Sequence, residues 1–196
     1  VTSGLNDGFS VTKVDTSTDF NNDGLNDMVI AWDNPQVSMQ VILNPGKLAE
    51  WQRLTGTHLR DLQFAANDDA VQDFVIIERH EKHVSATADG GASFADRDAV
   101  IGHAILTARA NAGLQMWVTP DGTAFTEKTV RSADFNFANR VAIGQMNPHT
   151  DLYPDIVFLT AAGSVHVLLG TDFDVAATAQ NWPGTTHYRS TNVLFV

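Results

Sequence analysis

Apolar residues in this chain come in short runs rather than at helical spacing. Asp27-Met28-Val29-Ile30-Ala31, Asp73-Phe74-Val75-Ile76-Ile77 and Asp155-Ile156-Val157-Phe158-Leu159 each set four apolar residues behind an aspartate. Runs of that length, bounded by turn residues, predict strands buried on both faces. A second pattern recurs four times: a strand, a turn bearing Gly or Pro, then an aromatic residue. It covers 39–51 (ending on Trp51), 84–94 (Phe94), 114–125 (Phe125) and 165–173 (Phe173). Further strands are predicted upstream, at 9–14, 58–64 and 140–145. No amphipathic helix emerges; 47–54 is the best stretch, and Pro45-Gly46 and Gly56 confine it to a turn or two.

These patterns assemble into a repeating unit of a strand, an acidic loop, an apolar strand, a turn and a strand, with an outer strand before the next unit. Its length is roughly 40–50 residues, the size of a four-stranded propeller blade. Asp27 and Asp73 are 46 residues apart, and Asp73 and Asp155 are 82 apart, room for one copy between them. That copy, near 99–125, has the run Val100-Ile101-Gly102-His103-Ala104-Ile105-Leu106 and no acidic loop. The predicted fold class is therefore all-β, with propeller-type blades of about four strands and roughly four blades. Approximate blades are 9–57, 58–95, 96–133 and 134–196 in a single domain over 1–196. The last residues, Asn192 to Val196, could close the ring against the first blade, pair with a neighbouring chain or lead into further sequence. The predicted core is Met28, Val29, Ile30, Val41, Leu43, Phe74, Val75, Ile76, Ile156, Val157, Phe158, Val167 and Leu168.

Composition narrows the function. A length of 196 residues suits one domain. The net charge is −11, whereas a nucleic-acid or anionic-membrane binder needs a basic face. No apolar run approaches the ~20 residues of a membrane span. The absence of cysteine excludes disulfides, thiolate metal sites and a cysteine nucleophile, and leaves the redox compartment open. Val1-Thr2-Ser3-Gly4 shows no secretory leader, so the chain is expected to be cytosolic, already processed or cut from something larger. Of the 23 acidic residues, 19 are Asp and 4 are Glu. Asp favours turns and hard-cation loops, whereas Glu favours helices.

One motif carries chemistry. Asp19-Phe20-Asn21-Asn22-Asp23-Gly24-Leu25-Asn26-Asp27 fits D-x-N-x-D-G-x-x-D. Side chains at the first, third and fifth positions converge when the backbone curls around a point. Gly24 permits the turn, the Leu25 carbonyl adds an oxygen and Asp27 closes the far side. All are hard oxygen donors, which favour Ca²⁺ over zinc or copper, and over Mg²⁺ with its strict octahedral demand. An EF-hand is excluded: its twelfth position would be Ile30, and a strand rather than a helix follows. The bland alternative is an Asx-rich turn without metal.

On these residues the chain resembles the FG-GAP/VCBS repeats, which form the calcium-binding β-propellers of integrin α-chains, fungal lectins and many secreted bacterial adhesins, hydrolases and toxin components. The first unit matches closely. The second keeps acids at the fifth and ninth positions of its loop, with Asn67, Asp69, the Val71 carbonyl and Asp73 as weaker candidates, but has Ala65 first and Ala70 in place of Gly. The fourth keeps Asp151 and Asp155, with Asn147, His149 and the Tyr153 carbonyl in weaker roles. In both, Asp73 and Asp155 are expected to cap the amides of the following strand, with or without metal.

Other candidates carry less. Glu78-Arg79-His80-Glu81-Lys82-His83 reads better as a solvated hairpin tip than as a transition-metal site. No Ser sits in a nucleophile elbow, and with 19 Asp no carboxylate pair is singled out as a glycosidase dyad. Trp51 recurs at a repeat position and reads as packing. Trp32 and Trp182 lie in loop-like sequence beside Asp, Asn and Pro, and are the ligand-stacking candidates. The expected function is a non-enzymatic, calcium-stabilised recognition, adhesion or scaffold module, extracellular or on the cell surface, whose partner is a glycan or a protein. The alternatives are a propeller piece of a larger secreted enzyme or toxin, and a structural subunit that self-associates through blade edges.

Overall fold

β-Branched and aromatic runs punctuated by Asx and Gly do form strands. The computed structural model describes residues 8–34, 37–62, 64, 70–80, 83–86, 92–95, 100–109, 113–131, 138–144, 155–160, 163–168 and 187–190. Among them strand predominates, and the one helix, α1 (Leu48–Trp51), has four residues. It starts after Lys47, which is extended and offers no side-chain cap, and it buries no residue fully. The all-β class is as the sequence predicts.

Among the described residues, three four-stranded antiparallel sheets are built in chain order. The first holds β1 (Val11–Asp15), β2 (Met28–Trp32), β3 (Met39–Ile42) and β4 (Leu59–Leu62). The second holds β5 (Val71–His80), β8 (Val100–Arg109), β9 (Gly113–Thr119) and β10 (Thr126–Arg131). Between β5 and β8 the chain makes a separate two-stranded hairpin, β6 (His83–Ala86) with β7 (Ala92–Ala95). The third sheet holds β11 (Ala138–Gly144), β12 (Asp155–Thr160), β13 (Val165–Leu168) and β14 (His187–Ser190).

This grouping corrects the expected division into four units at 9–57, 58–95, 96–133 and 134–196. The run at 58–64 does not open a second unit: β4 pairs back on β3, with Met39 opposite Leu62 and Ile42 opposite Leu59. The run at 100–106 does not open a third: β8 pairs with β5 along its length, placing Ile76 opposite Ile105 and Val75 opposite Leu106. The unit that seemed to lack an acidic loop is the rest of the second sheet. Both strands are ten residues long and apolar through the middle, so their pairing hides two runs at once.

The sheets stack face to face. Val29, Ala31, Met39, Val41, Leu62 and Phe64 of the first meet Val71, Phe74, Ile105 and Trp117 of the second. On the opposite face of the second, Ile77, Ala104, Leu106, Met116 and Val118 meet Val141, Ile156 and Phe158 of the third. The second sheet is thus buried on both faces, which is why its strands read as continuous apolar runs. The outer face of the first sheet is covered locally: Ile30, Trp32 and Ile42 pack with Leu54, and Met28, Trp51 and Leu59 close around them. Of the predicted core, Val29, Ile30, Val41, Leu43, Phe74, Ile156 and Phe158 are buried, and Met28, Val75, Ile76 and Val157 are half-buried. The Val167 and Leu168 side chains lie outside the described residues.

The first strands of the three sheets lie side by side and run in the same direction. Thr12 of β1 donates to the Val71 carbonyl, and Lys13 reaches Asp73 and the Phe74 carbonyl of β5. From the other side, Arg140 of β11 donates to the Gln72 carbonyl and the Val141 amide to Asp73.

Candidate metal centre

The connection from β1 to β2 contains the Asp19–Asp27 motif, and its backbone curls where the sequence permits. Gly24 has φ +88° and Asn22 φ +58°, both in the left-handed region that Gly and Asn tolerate best. Side chains at alternate positions turn onto the loop's own amides. Asp19 Oδ2 accepts from the Gly24 N–H at 2.7 Å and Oδ1 from the Asp23 N–H at 3.2 Å. Asn21 Oδ1 also accepts from the Asp23 N–H at 3.2 Å, and its amide donates to Asp23 Oδ2 at 2.9 Å. Asp23 Oδ1 accepts from the Leu25 N–H at 2.8 Å. Leu25 itself is exposed.

Asp27 closes the loop. It is 1% exposed, and its two oxygens accept from the Phe20 N–H and the Asn44 N–H, each at 2.7 Å. Its own N–H donates to the Thr18 carbonyl at 2.7 Å, so both ends of the loop are tied. Burial pushes the Asp27 carboxyl above the usual carboxylate range. The Asn44 and Phe20 amides pull the other way, and the negative charges of Asp19 and Asp23 raise it further.

The donor chemistry suits a hard divalent cation. Asp19, Asn21, Asp23, the Leu25 carbonyl and Asp27 are all oxygen donors. Asp27 is a buried carboxylate that also feels the negative charges of Asp19 and Asp23, the kind of group that gains from a neighbouring positive charge. Among the described residues no three His, Asp or Glu side chains gather closely enough to hold an ion by themselves. The carboxylates of this loop face its amides, and each retains lone pairs beyond the bonds just described.

The weaker second site divides. Asn67 and Asp69 lie outside the described residues. Val71 is the fully buried first residue of β5. Asp73 sits inside β5, one strand earlier in its sheet than Asp27 is in the first, and its donors are protein groups. Oδ1 accepts from the Phe74 N–H at 2.9 Å and from Lys13 Nζ at 2.7 Å, and Oδ2 from the Val141 N–H at 3.1 Å. It caps the following amide as expected and also joins the three sheets. For the fourth loop, Asn147, His149, Asp151 and Tyr153 lie outside the described residues. Asp155 starts β12 opposite Gly144 in the ladder, and its side chain is not described.

Trp32 is corrected as a ligand candidate. Asp33, Asn34 and Pro35 make its surroundings look like a loop, but it is the last residue of β2 and only 8% exposed. Its ring packs with Ile30, Ile42 and Leu54. Trp182 lies outside the described residues, as do the side chains at 79–83. Two features left no readable signal in the sequence. Phe20, the second residue of the motif, is fully buried against the second sheet, with ring centroids 5.2 Å from His103 and 5.7 Å from Phe125. Arg109 is fully buried in β8, its guanidinium donating to Gln115 Oε1 at 2.8 Å and lying 4.2 Å over the Phe64 ring.

No helix among the described residues is long and apolar enough to cross a membrane. Comparison with protein-family models, with curated proteins and with solved structures yields no match.

Proposed function

We propose that this chain is a calcium-stabilised recognition or scaffold module of the FG-GAP/VCBS type, acting outside the cell or at its surface on a glycan or protein partner without catalysis of its own. The observation that carries the reading is Asp27. A buried carboxylate, raised by burial and by two neighbouring carboxylates, closes a loop in which every motif donor is an oxygen. In that loop Ca²⁺ would be held by Asp19, Asn21, Asp23, the Leu25 carbonyl and Asp27, and would neutralise their mutual repulsion. Three successive four-stranded antiparallel sheets with adjacent first strands support the propeller-type part of the reading.

The test is thermal melting of the full chain in millimolar calcium against EDTA, for wild type and Asp23→Ala. A hundredfold excess over Kd stabilises by about 2.7 kcal/mol. Wild type should melt clearly lower in EDTA, and the variant should ignore calcium. A wild-type melt indifferent to calcium overturns the reading. A glycan array probed in calcium and in EDTA then separates a lectin from a protein-binding scaffold.

A further inference from the structure

Phe20 takes part in two structures at once. Its backbone N–H is held by Asp27 Oδ2 inside the loop, at 2.7 Å. Its side chain leaves the loop and is fully buried in the core between the first and second sheets. The ring meets His103 and Phe125 edge-on, at interplanar angles of 68° and 69°. The β9–β10 turn, 120–125, rests directly on it. A Cβ added to Gly122 would lie 2.9 Å from Phe20 Cβ and 3.3 Å from Leu43 Cδ2. Gly122 has φ +72°, and its N–H donates to Thr119 Oγ1 at 2.8 Å. The same turn is gripped by β4, where Arg60 Nε donates to the Thr123 carbonyl at 2.8 Å. One residue of the loop is therefore the plug on which the neighbouring sheet's turn is seated.

We infer that the 19–27 loop and the 119–125 turn order as one cooperative unit latched by Phe20, so that calcium bound in the loop tightens the junction between the first and second sheets. The calcium trigger rests on the function proposed above; the latch rests on the Phe20 contacts alone. Drawing Asp19, Asn21, Asp23 and Asp27 around an ion fixes the backbone on both sides of Phe20. In a close-packed site, a fixed ring fixes what is packed on it. Without the ion, repulsion among the three carboxylates loosens the same backbone and favours states in which the ring is less firmly seated.

Hydrogen exchange of the full chain, read by mass spectrometry in calcium chloride and in EDTA, tests the inference, with calorimetry reporting calcium binding separately. In wild type, calcium should slow exchange at 19–27 and also at 119–125, by about tenfold at the slowest amides. Phe20→Ala should still bind calcium while exchange at 119–125 no longer responds, and Phe20→Leu should restore part of the response. Calcium binding that protects 19–27 alone in wild type overturns the latch and leaves the calcium reading standing. Absence of binding heat overturns the calcium reading, and with it the trigger. Gly24→Ala in EDTA then decides the latch. It strains the loop at φ +88°, and its new Cβ meets nothing within 4 Å. Faster exchange at 119–125 supports the latch, and unchanged exchange overturns it.

Discussion

Lys13 Nζ lies 2.7 Å from Asp73 Oδ1, joining the first strand of the first sheet to the first strand of the second. The ammonium also donates to the Phe74 carbonyl at 2.6 Å and lies 4.9 Å over the Phe74 ring. Because Asp73 Oδ2 accepts from Val141, one carboxylate touches all three sheets. The partners are not equal: the Lys13 side chain is 36% exposed and that of Asp73 11%.

That asymmetry makes a prediction. Asp73→Ala strands the buried Val141 amide and removes the anchor of Lys13, and should cost about 2–3 kcal/mol. Lys13→Met keeps the stem over Phe74 and should cost about 1 kcal/mol or less. Urea unfolding of the two variants checks the order, which a purely superficial ion pair would not produce.

The seat of the β9–β10 turn predicts a second result. Gly122→Ala places a methyl against Phe20 and Leu43 at a left-handed φ, and should destabilise by about 1–3 kcal/mol. Gly56→Ala is the control, since its Cβ would meet nothing within 4 Å. Paired thermal melts should show a clear drop for the first and little change for the second.

Trp32 predicts a third. Its truncation to Ala in the packed outer face of the first sheet should cost about 3–5 kcal/mol, whereas Leu48→Ala, at a residue 78% exposed, should stay within about 0.5 kcal/mol. A Trp32→Ala chain that folds with unchanged stability would return Trp32 to the list of surface ligand-binding residues.

Asp121 predicts a pH effect. The Thr123 hydroxyl and amide donate to its Oδ1, at 2.6 and 3.0 Å, and hold the carboxyl below its ordinary value. A carboxyl lowered in the folded state stabilises the fold above the unfolded carboxylate range. That contribution is lost as pH falls through the range and on through the lowered folded value. Carboxyl NMR titration should show Asp121 titrating low in wild type and higher in Thr123→Val.

The sequence disclosed local structure more readily than partnership. Residues 28–32 and 39–42 are strands where the apolar runs lie, because burial of alternate or successive side chains is written into the run itself. The pairing of β5 with β8 was not legible, because a separate hairpin intervenes and nothing local marks which run will return. Asp27 and Asp73 look alike as heads of apolar runs. The first ends a loop and accepts two amides there; the second sits inside a strand and reaches two other sheets. The Asp19–Asp27 motif was legible in full, since the spacing of its oxygens is local. The burial of Phe20 within it was not, because its contacts are some 80–105 residues away in sequence.

The common direction of β1, β5 and β11 has a consequence for how this architecture can change. β1, β5 and β11 end on the same side of the stack. Residues 16–27 make a compact acidic loop after β1, and the β6–β7 hairpin comes between β5 and β8 in the chain, yet both are followed by a strand that returns to its sheet. After β1 the connection is tied to the core, because Phe20 is buried between the first and second sheets, whereas the β6–β7 hairpin pairs only with itself. The connection between β5 and β8 is where evolution can lengthen the chain, and where an engineer could graft a peptide or a small domain, while the three-sheet stack keeps its register.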